Sequence, residues 1–168
     1  VGEMEMPEGY EMPEFYNGRI DGTPAMDQAT WNGPNWRQTE SPAANGHANA
    51  RSVVRGQTAV VNGGSAFGVQ LLSQKTIDRI FEDQGVIAGV GESHGIGYGL
   101  GIGIGGPEAW GAPQGTKGCF WGGAGGSSIT LDHSNRACFS YVMNQMSNDL
   151  LGDIRARSLG QRFYEGLK

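Results

Sequence analysis

Between Gly85 and Gly126 the chain carries seventeen of its thirty glycines. A fold that keeps so many residues without side chains in one stretch uses the backbone there for close approach or for turns. From Gly95 to Gly105 glycine alternates with Ile96, Tyr98, Leu100, Ile102 and Ile104. A period of two sets these apolar side chains on one face of a strand and leaves the other face bare. The alternation therefore predicts one strand over Gly95–Gly105, with a helix lying unusually close to its bare side.

Three further runs, Cys119–Trp121, Ser128–Leu131 and Ala137–Met143, are rich in β-branched and aromatic residues, with Gly-rich and Asp-His-Ser-Asn turn chemistry between them. They predict an antiparallel meander over 118–143. The first run ends in Trp121-Gly122-Gly123-Ala124-Gly125-Gly126, a strand end whose missing side chains admit a ligand to the backbone and leave peptide N–H groups exposed. Such an edge suits an oxyanion.

These residues resemble the serine hydrolases of the penicillin-binding-protein and class C β-lactamase fold, especially the family VIII carboxylesterases. The third motif of that family lies on an inner strand, as Lys-Thr-Gly in the lactamases and often Trp-Gly-Gly or His-x-Gly in the esterases, and Trp121-Gly122-Gly123 matches the esterase form. Asn49-Ala50-Arg51-Ser52 on an earlier helix, Leu71-Leu72-Ser73, and Tyr141-Val142-Met143-Asn144 before a last helix follow in the family's order, so the likeness runs from Ser41 to Lys168. It implies an α+β fold in which an antiparallel sheet is flanked by helices. It also implies an acyl-enzyme mechanism without metal or cofactor. By position, the Ala124 backbone N–H is a donor of the oxyanion hole, and Trp121, Gly122 and Gly123 line the substrate. Trp121 stands where the lactamases keep a lysine for the penicillin carboxylate. An indole offers an apolar wall and no charge, which points to uncharged acyl esters.

The family's other motifs, Ser-x-x-Lys and Tyr-x-Asn or Tyr-x-Ser, do not occur in these 168 residues; Ser73-Gln74-Lys75 has the wrong spacing. Together with a start lacking Met, this leads to the expectation of a processed second half, cut before Val1. Its partner is an N-terminal fragment of the same precursor carrying the nucleophile. An acyltransferase of the same fold and a non-catalytic binding module remain as alternatives. The net charge of −5, with scattered Lys and Arg, argues against a nucleic-acid footprint, and no run is long and apolar enough to span a membrane. Cys119 and Cys138, on the first and third strands of the meander, are expected to be free thiols. That fits a reducing compartment without establishing one.

Residues 1–45 hold five of the seven prolines and many aromatics without sustained periodicity. They predict an irregular segment packed on a partner through Tyr10, Phe15, Tyr16, Trp31 and Trp36, which the resemblance places near the active-site mouth. The resemblance makes residues 46–168 the C-terminal portion of the β-lactamase-like domain, completed by the N-terminal fragment. There, Ala48–Asn62 reads as an amphipathic helix stopped by Gly63-Gly64. Ser73 caps a helix to Phe81, with Leu72 and Ile77 as a staple. Ser147 caps a last helix whose Leu150, Leu151, Ile154, Leu159, Phe163 and Leu167 are expected to bury against the sheet, leaving Arg155, Arg157 and Arg162 solvated.

Other motif matches fail on context. Gly91-Glu92-Ser93-His94-Gly95 has the spacing of a nucleophile elbow, but strand-like alternation follows where a helix is required. Gly101-x-Gly103-x-x-Gly106 is followed by Pro107 and has no βαβ frame. His47, His94 and His133 show no metal-ligand spacing, and His133 reads as a turn residue.

Overall fold

The computed structural model describes residues 3–9, 28–42, 44–85, 97–100, 103–104, 111–149 and 152–167. Two short helices, α1 (Gln28–Asn32) and α2 (Pro34–Gln38), are the first among the described residues and lie within 1–45, where an irregular segment was expected. Pro34 starts α2, where its missing N–H costs nothing. Trp31 is buried and stacks on Trp36 at 6.5 Å. The Asn32 amide clamps the Met4 backbone, donating to Met4 O and accepting from Met4 N.

Helix α3 (Ala50–Val61) begins at Asn49, whose Oδ1 accepts from Ser52 N, and ends where Gly63 and Gly64 take positive φ. A two-residue hairpin, β1 (Ser65–Ala66) and β2 (Val69–Gln70), follows. Helix α4 (Gln74–Ile80) is capped by Ser73, and Leu72 packs into the same cluster as Ile77, as the sequence predicts.

The five-stranded antiparallel sheet contains β3 (Gly97–Tyr98), β4 (Gly103–Ile104), β5 (Gly118–Gly122), β6 (Ser128–Asp132) and β7 (Ala137–Tyr141), in that order across the sheet. The last three are the expected meander. The glycine-alternating stretch, however, is not one strand. It doubles back after Tyr98 and pairs with itself, Gly97 with Ile104 and Tyr98 with Gly103. A strand and a tight hairpin share the same alternation, and unbranched glycine favours a reversal over a long extended run.

Paired residues share a face of the sheet, so the reversal splits the apolar side chains that continuous alternation would have kept together. Tyr98 joins Phe120, Ala112, Ala156 and Tyr164 on one face. Ile104 packs on the other with Cys119, Leu131, Val60, Val61 and Ile77. The close approach of a helix is found: a Cβ on Gly99 would lie 1.9 Å from the carbonyl oxygen of Ile80, at the end of α4.

The last helix, α5 (Ile154–Gly166), starts seven residues after the expected cap. Asp153 caps it, Oδ1 accepting from Arg155 N at 2.9 Å and Ala156 N at 3.0 Å. Ser147 instead donates its N–H to Gly125 O at 2.9 Å. The buried face is only partly the expected one: Phe163 packs on the core as expected, but Ala156, Gly160 and Tyr164 are the buried residues, whereas Ile154, Leu159 and Leu167 are exposed. Small residues at 156 and 160 let the helix backbone sit close to the sheet, and that close packing decides the orientation over the larger leucines. Leu150 and Leu151 lie outside the described residues. Arg155, expected in solvent, pairs with buried Asp153 and lies over the Tyr141 ring.

Burial alone pushes the Asp153 carboxyl up, but the hydrogen bonds and charge of Arg155, with two backbone N–H donors, hold it below the usual range. A lowered native pKa gives stability that is complete above the ordinary carboxylate range and lost as pH falls through the lowered value. Asp153→Ala should therefore lower the unfolding free energy at pH 7 by about 2 kcal/mol, combining a lost cap with a broken, partly exposed ion pair. The deficit should shrink below about pH 4 in pH-resolved urea unfolding. Asp153→Asn, which retains an acceptor, should cost less at pH 7.

Candidate functional site: the glycine-lined end of β5

Strand β5 delivers Trp121 and Gly122 to the end of the sheet, and the chain then reverses into β6 through Gly123–Ser127. Gly123 N–H donates to Ser127 O at 3.0 Å, and Gly126 N–H returns to Gly123 O at 3.1 Å. The second bond closes a turn with Ala124 and Gly125 at its centre. Gly125 has φ 93° and Ala124 is not in the left-handed region, the arrangement of a type II turn. Gly126 has φ 107°, which further favours glycine.

The back of this turn is packed and bonded. Gly125 N–H donates to Asp149 O at 3.2 Å. A Cβ on Gly125 would meet Met143 Cε at 2.6 Å and Met146 Cγ at 2.7 Å, and one on Gly126 would meet the Asp153 carboxylate at 2.8 Å. The front is open: a Cβ on Gly123 would meet nothing within 4 Å.

Of the four consecutive amides 123–126, three donate to carbonyls of the chain, and Ala124 N–H has no partner among the described residues. That follows from its place in the turn, because the N–H of the second turn residue points out of the ring that the turn closes. Trp121 is 39% exposed, its indole edge-to-face on Tyr98 at 5.6 Å. Trp121, Gly122, Gly123 and Ala124 thus form one continuous, half-open edge. Tyr98 lies beside this strand end through the β3–β4 pairing, which the periodicity alone did not reveal.

The remaining candidates lie elsewhere. Ser93 and His94 lie outside the described residues, as do Gly101 and Gly106 of the dinucleotide-like spacing; Gly103 is a strand residue. His133 sits in the β6–β7 turn, its ring 5.4 Å from Phe81 and its Nδ1 buried without a hydrogen bond. Buried Asp132 accepts from Asn135 N and Asn135 Nδ2, both at 2.8 Å, and shapes that turn. Among the described residues no three His, Cys, Asp or Glu side chains gather as a metal site, and no helix is long and apolar enough to cross a membrane.

Both cysteines are free, in register on either side of Leu131. Burial pushes Cys119 up to about 12, with Cys138 adding to it, and pushes Cys138 up to about 11, with Asp132 adding to that. Neither is a nucleophile near neutral pH. Thiol labelling of the native chain at pH 8 should run at least about tenfold slower than in denaturant, where both react.

No family model matches this chain, and no curated protein sequence matches it. Among solved structures it is similar to a penicillin-binding-protein homologue from Caulobacter crescentus, with 28% sequence identity and a TM-score of 0.71 over 79% of this chain and 36% of that one. It is also similar to a family VIII carboxylesterase, with 26% identity and a TM-score of 0.68 over 82% of this chain and 36% of that one. The helix-flanked antiparallel sheet matches both in architecture. This chain thus shares the β-lactamase-like fold of these two proteins and spans 36% of the length of each.

Proposed function

We propose that the chain is the second half of a serine hydrolase that cleaves carboxylic esters through an acyl-enzyme, with the nucleophile on an N-terminal fragment of the same precursor. The observation that carries this reading is the Ala124 N–H, without a partner among the described residues, on the exposed edge beside Trp121. In the assembled site the serine Oγ adds to the ester carbonyl carbon, and the carbonyl electron pair moves onto oxygen. Ala124 N–H and the serine's own N–H receive that oxyanion. Its collapse expels the alcohol, which leaves with a proton, and water then releases the acid from the acyl-enzyme. Trp121 supplies an apolar wall suited to an uncharged acyl or alkyl group.

Expressed alone, the chain should hydrolyse no short p-nitrophenyl ester above background. Combined with the fragment that carries Ser-x-x-Lys, it should turn the ester over and leave an acyl adduct on that serine, visible by intact mass. Faster hydrolysis of cephalosporins than of these esters would overturn the substrate preference. Ester turnover by the chain alone would overturn the division of labour and return attention to Ser93.

A further inference from the structure

Residues 41–77 carry Arg51, Arg55 and Lys75 but no Asp or Glu, although acids outnumber bases 17 to 12 in the whole chain. The stretch holds α3 and the β1–β2 hairpin, and the nearest acids in sequence, Glu40 and Asp78, lie outside both. A further cation joins from the β6–β7 turn, where Arg136 Nε donates to Asn62 Oδ1 at 2.9 Å at the base of the hairpin. A chain with a net charge of −5 therefore presents one face that is locally positive.

The same face ends in an apolar tip. Residues 67–71 are all exposed, and three are large and apolar: Phe67 at 61%, Val69 at 54% and Leu71 at 58%. Leu71 N–H donates to Gly64 O at 2.8 Å and continues the ladder past Gln70, so Val69 and Leu71, two apart on one extended strand, project from the same face. Phe67 has φ 52° and Gly68 φ 81°, the two positive values of a type I′ turn, where asparagine is the favoured first residue and a bulky aromatic is strained. The Arg55 guanidinium lies 3.9 Å from the centroid of the Phe67 ring, and Arg51, one turn back on α3, stands on the same side of the helix. Neither arginine makes an ion pair among the described residues. A strained aromatic kept in solvent beside two aliphatic side chains is a patch that works by meeting something apolar.

We propose, independently of the chemistry at Ala124, that the β1–β2 hairpin docks on an anionic lipid surface. Phe67, Val69 and Leu71 enter the boundary between headgroups and acyl chains, and Arg51 and Arg55 meet the lipid phosphates. Charge decides the occupant. An anionic bilayer offers hydrocarbon to the three apolar side chains and negative charge to the arginines at the same depth scale. A second copy would instead bring one positive face against another, and like charges brought together across an interface oppose it. Arg55 serves both halves of the contact: its guanidinium rests on the aromatic ring while its N–H groups stay available to phosphate oxygens. The contact is peripheral, made by a turn and two strand residues.

Vesicle cosedimentation of the native protein tests it. The protein should bind vesicles of mixed phosphatidylcholine and phosphatidylglycerol at least about tenfold more tightly than vesicles of phosphatidylcholine alone, and added salt should shrink that preference. Phe67→Asn should weaken binding to the mixed vesicles at least about tenfold through the lost ring, with the thermal midpoint equal or higher because the turn is relieved. Val69→Thr, which leaves the turn alone, should weaken it in the same direction. Arg51→Gln and Arg55→Gln should each cost about fivefold on mixed vesicles and little on phosphatidylcholine. Ile154→Asn removes a 74% exposed apolar side chain from α5, across the sheet from α3, and should change nothing. Failure to bind the mixed vesicles, or binding that Phe67→Asn and Val69→Thr leave intact, would overturn the proposal. Loss of a concentration-dependent dimer, or of a bound polypeptide, in Phe67→Asn without loss of vesicle binding would assign the tip to a protein contact and overturn it equally.

Discussion

Ala124→Pro should lower kcat of the assembled enzyme toward a short p-nitrophenyl ester by about 100- to 1000-fold, the usual effect of deleting one oxyanion-hole donor. Proline is a clean probe here because the turn accepts it. Ala124 is the second residue of a turn whose third residue, Gly125, has φ 93°, and proline is common at that second position of a type II turn. The residue before a proline is restricted, but residue 123 is a glycine, which tolerates the restriction, and its N–H can keep its bond to Ser127 O. The substitution thus deletes one N–H and little else. Unfolding free energy should stay the same or rise slightly through the stiffer unfolded chain. Activity retained within about threefold would remove Ala124 from the mechanism.

Gly99→Ala should destabilise the chain by about 3 kcal/mol or more, at or beyond the upper end for overpacking, because the new Cβ would sit 1.9 Å from Ile80 O and 3.0 Å from Ile104 Cγ2. Ile80 O belongs to the backbone at the end of α4, so relief requires moving a helix away from the sheet rather than turning a side chain. The matched control is Gly123→Ala, with nothing within 4 Å of the added carbon and no left-handed backbone. It should change stability by less than about 0.5 kcal/mol. Urea titrations of the two variants measure the contrast, and equal midpoints would mean that α4 does not press on β3.

What could be read from sequence divides along physical lines. Ser73 sits at a helix start that a local hydrogen bond fixes, so α4 lies where capping puts it; periodicity located α3, and the Asn49 cap sets its start two residues later than the spacing did. The meander was legible for the same reason: each turn lies between runs of clear β character. Gly95–Gly105 was misread because alternation says nothing about direction, and only pairing across the sheet separates a strand from a hairpin. On α5, of the apolar residues expected to bury, Phe163 packs on the core while Ile154, Leu159 and Leu167 are exposed. Which row meets the sheet was decided by how closely Ala156 and Gly160 allow the backbone to approach. At the candidate site, Trp121 and the glycines announced an unusual strand end. The feature that singles out Ala124, a lone outward amide among four, belongs to the turn and not to any residue's identity.

A donor made of main chain also escapes the commonest mutational survey. An alanine scan along 121–126 would find alanine already at 124, and at the glycines it would report on steric fit alone. A library ranked by side-chain replacement would therefore pass over this position as inert. Replacing the peptide link before residue 124 with an ester, which swaps N–H for O at constant shape, is the survey that would register it.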